Sequence, residues 1–324
     1  MIQLHLRTLL TAAPERVTPI SCSRKNRLPE YAQFVKRMLL SIALSGVLLV
    51  AAVIVSGIAF SLPVHTTVGP PPSDLKDVET LDISSQSSNT LRAWYVPGVS
   101  GHGAILLLHG IRSNRRQVIE RMRFLARAGY AVLAIDFQSH GESTGNRITF
   151  GLLESLDALS AVEYLHKRLP TEHVGVIGIS LGGAAALLGP KPLPVDALVL
   201  ESVYPDIETA ISDRIEARIG LPFIAHLLAK IYLLVMPPII HIQPEQLRPI
   251  DHIRKIHEPV FIISGTADRH TKIDETRALY ANAPYPKQLW AITGAGHVDL
   301  QKSVGPEYNY WLLEFFGRYL QTTR

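Results

Sequence analysis

A serine held between glycines is the first feature of this sequence that could do chemistry. The pattern Gly178-Ile179-Ser180-Leu181-Gly182 follows the apolar run Val174–Ile177 and precedes a run of small residues that favours a helix. In such a strand–turn–helix setting, G-x-S-x-G makes a sharp turn that exposes the serine hydroxyl and tolerates only small neighbours. We therefore predict that Ser180 is a nucleophile, and the alternative is a Gly/Ser turn that merely starts a helix.

A serine nucleophile needs a general base, and position in the chain favours His297. This histidine ends the small-residue loop Gly294-Ala295-Gly296-His297, directly after the last predicted strand. The chain contains 13 His, so residue type alone selects none of them. The competing bases are His109, His140 and His270.

The base in turn needs an acid that holds its tautomer and stabilises the imidazolium. Asp268 ends the loop Gly265-Thr266-Ala267-Asp268 after the predicted strand Val260–Ile263, and it precedes His297 in the chain. Glu201, at the end of the preceding predicted strand, is the rival acid. If Glu201 is not the acid, we expect its carboxylate to bond local backbone or a cap.

Acyl transfer also develops a negative oxygen that needs hydrogen-bond donors, each of which stabilises the transition state by ~3–4 kcal/mol. The backbone N–H of Leu181, directly after the serine, is one candidate. The backbone N–H of Ile111 is the other, because it lies in the loop after the predicted strand Ala104–Leu108, where Gly110 permits close approach.

The elements that must position these residues alternate between strands and helices. Short, continuously apolar runs predict strands buried on both faces, as in a parallel sheet. The predicted strands are Thr80–Ser84, Leu91–Val96, Ala104–Leu108, Ala131–Ile135, Val174–Ile177, Ala197–Leu200, Val260–Ile263 and Leu289–Ile292. The predicted helices are Asn114–Ala128, Leu152–Leu169, Leu181–Leu188, Glu275–Asn282 and Tyr308–Leu320. This order predicts an α/β fold with a mostly parallel central sheet, helices on both faces and an opening hairpin.

A long insertion separates the strand that ends near Leu200 from the one that starts at Val260. We predict a helical cap at about residues 203–252 over the ligand-binding face, and the alternative is extra helical packing at the sheet edge. The insertion is strongly apolar from Ile219 to Ile240. A second membrane span is rejected because His226 and Lys230 interrupt the run, Pro222 and Pro237 bound it, and a span would separate strands of one sheet.

Residues 38–62 form an uncharged apolar run that is long enough for a transmembrane helix, which needs about 20 residues. A cleavable signal peptide and a buried core helix are the alternatives. Residues 1–37 carry a net charge of +5 and the remainder −1. The positive-inside rule then predicts a basic cytoplasmic tail at 1–37 and the rest of the chain on the extracytoplasmic side, unless Met38 is the true start.

Residues 63–78 include Gly69-Pro70-Pro71-Pro72-Ser73, which predicts a stiff, extended, Pro-rich linker before a domain at 79–324. The chain has 324 residues, 47% of them hydrophobic, which excludes a disordered chain. Its nearly neutral body argues against nucleic-acid binding. A single cysteine excludes a disulfide framework and a zinc site built on thiolates. We expect no metal and no organic cofactor, and the sequence leaves the oligomeric state open.

Taken in order, His109-Gly110, the G-x-S-x-G pattern, Asp268 and Gly296-His297 resemble the α/β-hydrolase superfamily, whose triad follows the chain order Ser, Asp, His. The likeness extends over about Glu79–Tyr319 and is greatest to the serine-hydrolase branch with prolyl-oligopeptidase-like and dienelactone-hydrolase-like domains. Asp136–Ser143 is similar to that branch's D-x-R-G-x-G-x-S loop, with Gln138-Ser139 in place of Arg-Gly. The Val-Pro pair common after the acid is also missing, and Arg269-His270-Thr271 stand there.

The resemblance implies a serine hydrolase that transfers an acyl group to water through Ser180, Asp268 and His297. The apolar cap and the membrane segment favour a lipid-like carboxylic ester or thioester as substrate. A serine peptidase of the same branch is one alternative. A non-catalytic, membrane-anchored binding protein on a hydrolase fold is the other.

Overall fold

The computed structural model describes residues 27–297 and 299–321. The chain divides into two compact units, one ending at Leu49 and the other beginning at Val50. Residues 1–26 of the predicted basic tail lie outside the described part.

One long apolar helix, α1 (Arg27–Ser61), opens the described chain. It contains all but the last residue of the predicted span 38–62 and begins earlier, at Arg27. Glu30–Ser61 is the one helix of the described residues that is long and apolar enough to cross a membrane, and its most apolar 18-residue stretch has a mean hydropathy of 2.8. Only 6% of its most apolar stretch is buried, which is unlike a core helix.

An eight-stranded sheet organises the second unit, in the order β10-β9-β8-β7-β4-β5-β3-β2. Its strands pair in parallel from β10 to β5, and β3 is antiparallel to both β5 and β2. β1 and β6 form a separate parallel pair. The strands are β1 (Val64–His65), β2 (Glu79–Ser84), β3 (Thr90–Val96), β4 (Ala104–Leu108), β5 (Ala131–Ile135), β6 (His140–Gly141), β7 (Val174–Ile179), β8 (Ala197–Glu201), β9 (Val260–Gly265) and β10 (Lys287–Ile292).

Helices cover both faces of this sheet, as predicted. They are α2 (Ile119–Arg127), α3 (Leu152–Arg168), α4 (Leu181–Leu187), α5 (Ile207–Ile219), α6 (Pro222–Ile240), α7 (Pro249–His252), α8 (Ile273–Asn282), α9 (Leu300–Val304) and α10 (Pro306–Leu320). Successive side chains of a strand point to opposite faces. In β4, Leu106 therefore packs in a core with α3, α4 and α8, while Ile105 and Leu107 pack with α2 and α10.

Helices α5, α6 and α7 fill the insertion between β8 and β9, where the cap is predicted. The apolar run forms α6, which begins at Pro222 but continues through Pro237 to Ile240, so Pro237 does not end it. Parts of α6 remain exposed, with Phe223 at 80% and Leu234 at 79% of their full accessibility.

The segment 63–78 is predicted as a stiff, extended, Pro-rich linker. In the structure, its first residues bind along the domain. β1 pairs with β6, and the backbone N–H groups of Val68 and Gly69 donate to the Glu142 carboxylate at 2.9 and 3.2 Å. Val68 is buried. The extended backbone thus finds acceptors in the 139–142 loop, which composition alone does not reveal.

Candidate active site

The nucleophile elbow is a strained turn between β7 and α4. Ser180 has φ +51° and ψ −107°, a left-handed conformation that a side chain rarely adopts and that functional sites often retain. Gly178 and Gly182 permit the turn. A Cβ on Gly178 would lie 2.6 Å from the backbone of Gly183, and one on Gly182 would lie 2.4 Å from the Leu108 carbonyl oxygen.

The acid and base loops meet at the carboxyl ends of β9 and β10. Ala267 N–H donates to the Ala295 carbonyl at 2.9 Å, and a Cβ on Gly265 would lie 2.1 Å from that same oxygen. His297 Nδ1 then reaches Asp268 Oδ2 at 2.8 Å. Because the carboxylate accepts from Nδ1, the other ring nitrogen, Nε2, is left as the proton acceptor.

Asp268 is held as a carboxylate by a full set of donors. Its Oδ1 accepts the backbone N–H groups of His270 and Thr271 at 2.8 and 2.9 Å. Burial by itself would raise the pKa of Asp268, but the hydrogen bond and charge of His297 and the two backbone N–H groups outweigh it and lower that pKa. The residues that replace Val-Pro after the acid therefore supply donors that keep it ionised.

Ser180 and His297 line one cavity of about 520 Å³ at the carboxyl edge of the sheet. Within residues 27–297 and 299–321, no hydrogen bond joins the Ser180 hydroxyl to His297. For the acyl transfer predicted from the sequence, a side-chain movement would have to close this contact before proton transfer. Such contacts are often long in ligand-free enzymes and tighten in the substrate complex.

The two predicted oxyanion donors have no hydrogen-bond partner in the described part of the chain. Leu181 N–H lies at the start of α4, where the first amides of a helix are free. The carbonyl oxygen of Gly110 accepts from His109 Nδ1 at 2.7 Å. Since the Gly110–Ile111 peptide is trans and planar, its N–H points the opposite way, and Ile111 lines the cavity.

Two buried histidines, His109 and His140, hold the loop that carries the predicted oxyanion donor, the Ile111 N–H. Because both ring nitrogens of each histidine are engaged, neither is free to act as the base. His109 Nε2 accepts from Phe137 N–H at 3.1 Å, which leaves the ring proton on Nδ1. His140 Nε2 accepts from Arg112 N–H at 3.1 Å, and its Nδ1 donates to the Gln138 carbonyl. Burial lowers the pKa of both rings, that of His109 well below its usual value. The third competitor, His270, packs beside His297 with ring centroids 5.2 Å apart.

The rival acid, Glu201, bonds neither local backbone nor the cap through its carboxylate. It forms a buried ion pair with Arg121, at 2.7 Å from Nη2 and 3.1 Å from Nε. Tyr308 also donates to the carboxylate, and Arg121 extends to Asp299 at 3.0 Å. This network borders the cavity, which Glu201 and Asp299 help to line, and it ties β8 to the segment after His297. The Glu201 carboxylate is fully engaged, and Asp268 is therefore the carboxylate that pairs with the His297 imidazole.

The cavity walls are mostly apolar. They include Phe60, Ile111, Phe150, Ile179, Ile211 and Tyr232. Among the described residues no group of three or more His, Cys, Asp and Glu side chains could hold a metal ion.

A model of the alpha/beta hydrolase family matches residues 105–304. The chain belongs to this family. The superfamily resemblance read from the motifs is therefore confirmed, and the branch-level likeness stays a prediction.

Several curated and solved relatives resemble this alpha/beta hydrolase. Alpha/beta hydrolase domain-containing protein WAV2 of Arabidopsis thaliana is 28% identical over 256 residues, 75% of this chain and 80% of the plant protein. Lysophosphatidylserine lipase ABHD12 of Macaca fascicularis is 32% identical over 122 residues, 35% of this chain and 30% of that protein. The solved structure of the Pyrococcus furiosus esterase Pf2001 shares the fold, with a TM-score of 0.67, 24% identity, and coverage of 81% of this chain and 98% of that one.

Sequence reasoning missed three contributions to the hydrolase site. His109 and His140 hold the loop that carries Ile111. The sequence signal for this role was their position, beside Gly110 for His109 and within Ser139-His140-Gly141 for His140. Arg121 gave no local signal, because its partners lie 80 and 187 positions along the chain. The Thr271 amide was visible only as a departure from the family pattern.

Proposed function

We propose that this alpha/beta hydrolase is a membrane-anchored serine hydrolase that cleaves carboxylic esters or thioesters with an apolar acyl or alkyl group. One observation carries the proposal. His297 is bonded to Asp268 at 2.8 Å and borders a cavity that also holds Ser180 on its left-handed elbow. If Ser180 and His297 had only structural roles, the serine would need no strained turn and the histidine would need no ionised partner. Nor would there be a reason for both residues to line one cavity.

Acyl transfer at this site would proceed in two halves. His297 Nε2 takes the Ser180 proton as the hydroxyl oxygen attacks the substrate carbonyl, and the negative oxygen is held by the N–H groups of Leu181 and Ile111. His297 then protonates the leaving alcohol or thiol, and an acyl-enzyme remains. Water, deprotonated by the same imidazole, releases the acid and restores Ser180. Asp268 stabilises the imidazolium in both halves.

The apolar lining supports a hydrophobic substrate group, because burying hydrocarbon against such walls contributes about 25 cal/mol per Å². Two proteins similar to this chain, named as an esterase and a lysophosphatidylserine lipase, support ester cleavage as the reaction class.

The end of α1 supports membrane anchoring as part of the function. Ser56 and Phe60, in its last two turns, line the cavity. Gly57 lets this helix approach the cap, since a Cβ there would lie 2.6 Å from the Tyr232 ring. A lipid-like substrate would therefore enter a site built partly from the anchor.

A fluorophosphonate probe tests the nucleophile. We expect it to label the wild-type protein and a Ser303→Ala control at an exposed residue of α9, but not Ser180→Ala. Hydrolysis of 4-nitrophenyl octanoate by Ser180→Ala should fall by roughly 10³-fold or more, as for other triad knockouts. Labelling or turnover that persists in Ser180→Ala contradicts the proposal, and cleavage of peptide amides in preference to esters would identify a peptidase instead.

The predicted orientation is testable with the chain's single cysteine. An impermeant maleimide should label Cys22 in spheroplasts or right-side-out vesicles only after permeabilisation. A Cys22→Ser, Lys191→Cys variant, which moves the thiol to an exposed loop of the hydrolase unit, should be labelled without it. The reverse pattern would overturn the orientation.

A further inference from the structure

One corner of the active-site cavity is basic, in contrast to its apolar walls. Arg214 and Arg218 lie one turn apart on α5, so they share a helix face, and both line the cavity with Ser180. The cap thus brings two cations to the cavity that holds the nucleophile, and the acyl-transfer mechanism uses neither of them.

The guanidinium of Arg214 lacks a carboxylate partner. Its Nη1 donates to the Ala210 carbonyl of its own helix at 2.8 Å, and no carboxylate of the described residues lies within salt-bridge distance. The deeply buried Arg121 and Arg115, in contrast, each pair with two carboxylates. Burial lowers the pKa of Arg214, yet an arginine remains charged. A half-buried cation with free donors is costly unless an anion completes it.

The nearby acidic groups are already engaged. Asp268 accepts from His297 and from two backbone N–H groups. Asp213 and Glu216 share the ammonium of Lys272 at 2.9 and 2.8 Å. Glu275 is largely protonated, because burial and the Asp213 carboxylate raise its pKa to about 9. Arg218, exposed at the end of α5, likewise has no carboxylate of the described chain within reach.

Resting on the proposed function, we propose that Arg214, assisted by Arg218, binds an anionic group of the substrate. The hydrolase would then prefer amphiphilic esters that carry a carboxylate or a phosphate beside the apolar chain. A guanidinium offers paired N–H donors that match either oxyanion. In this arrangement the apolar walls bind the hydrocarbon chain and the two arginines bind the anionic group. The scissile carbonyl lies at Ser180.

Matched ester pairs test this preference in the full-length protein in detergent. On the acyl side, mono-4-nitrophenyl suberate is compared with 4-nitrophenyl octanoate. On the alcohol side, 1-lauroyl-glycerol 3-phosphate is compared with 1-lauroylglycerol. The readout is the ratio of kcat/KM for the charged and neutral member of each pair, and the pair with the larger ratio identifies which end of the substrate carries the anion.

We expect Arg214→Gln to lower the charged-to-neutral ratio about 10- to 100-fold, the worth of a charge-assisted hydrogen bond. Arg214→Lys should retain part of it. Arg254→Gln, an exposed arginine outside the cavity lining, should leave the ratio unchanged. Should Arg214→Gln fail to fold, the exposed Arg218→Gln should still lower the ratio severalfold. A wild-type ratio near one, or ratios unchanged in the Arg214 and Arg218 variants, overturns the inference.

An equilibrium arm separates this inference from the proposed function. Binding of n-dodecyl phosphate and of n-dodecanol to Ser180→Ala requires no turnover. The basic subsite is supported if Ser180→Ala binds n-dodecyl phosphate more tightly than n-dodecanol and the added Arg218→Gln substitution removes that difference. This result would hold even if no ester is hydrolysed. Ser180-dependent hydrolysis of neutral esters with equal binding of the two probes refutes the subsite alone.

Discussion

The predicted nucleophile elbow at Ser180 and the helices of the predicted cap both border the candidate active-site cavity, but they are built in opposite ways. The elbow consists of backbone packed against backbone, with glycines at contacts that no Cβ could enter. The cap is a pair of helices, α5 and α6, that expose large apolar side chains such as Phe223 and Leu234. Chemistry needs atoms fixed to within fractions of an ångström, whereas substrate selection needs only a surface of suitable polarity. Under the proposed function, we therefore expect substitutions on the cavity side of α5 and α6 to change substrate preference, and substitutions in the elbow to abolish the reaction.

The largest effect should come from crowding the elbow. Gly182→Ala places a methyl group 2.4 Å from the Leu108 carbonyl oxygen, a backbone atom that cannot yield cheaply. We expect esterase activity to fall at least 100-fold and the protein to be destabilised by several kcal/mol, measured by 4-nitrophenyl ester turnover and urea unfolding. Gly317→Ala in α10, where a Cβ meets nothing closer than 3.9 Å, is the matched control and should be neutral or slightly stabilising. An active Gly182→Ala enzyme would show that the elbow is looser than its contacts indicate.

The buried ion-pair network of Arg121 at the cavity wall should produce the next largest effect. Arg121→Met leaves Glu201 without its cation and weakens the hold on Asp299, and we expect a loss of about 3–5 kcal/mol in the free energy of unfolding. Arg123→Met, on the same helix, breaks a partly exposed pair with Asp74 and should cost about 0–1 kcal/mol. Equal losses of unfolding free energy in the two variants would mean that burial does not make the Arg121 ion pairs stronger than the Arg123 pair.

A pH-dependent effect of intermediate size is expected where the cap meets α8. The pKa of Glu275 is raised to about 9 in the folded protein, from its ordinary value of 4.5, chiefly by burial and by Asp213. The folded state therefore holds a proton that the unfolded state releases, so this group's stabilising contribution is complete below about pH 4.5 and declines as pH rises towards 9.

Glu275→Gln mimics the protonated carboxyl at every pH. We expect this variant to unfold at a higher temperature than wild type at pH 8, by roughly 2–4 °C per kcal/mol, and the difference to vanish near pH 4. A temperature difference that does not change between pH 4 and pH 8 would contradict the raised pKa. Asp274→Asn, on the exposed neighbouring residue, serves as the control.

The smallest effect should come from the exposed face of the cap. Phe223→Ser and Leu234→Ser remove side chains that are 80% and 79% exposed, so the unfolding free energy in detergent should change by no more than about 0.5 kcal/mol. Chemical denaturation monitored by circular dichroism would measure it. A loss of 2 kcal/mol or more would reveal that this face is packed in the folded protein, and the comparison with the elbow would then fail.

Much of the fold followed from local patterns. Every predicted sheet strand and helix is present, with ends shifted by a few residues, because buried strands read as continuous apolar runs and helices as amphipathic ones. Asn114–Ala128 is the partial exception, since its first turn is a 3₁₀ helix at Arg115–Val118. Residues 64–69 were predicted poorly, because proline content indicates an extended backbone but not what that backbone will pair with.

By itself, the sequence determined the order of the elements, the tight turn around Ser180, the loops that carry Asp268 and His297, and the helical insertion where the cap is predicted. All of these depend on neighbours within a few positions, where residue size and hydrophobic period act directly. Only the tertiary structure decided that His109 and His140 hold the loop of the predicted oxyanion donor Ile111, that Glu201 pairs with Arg121, and that no carboxylate of the described residues pairs with Arg214. Those outcomes depend on which groups meet across long stretches of chain after the sheet forms, and no local pattern records such meetings.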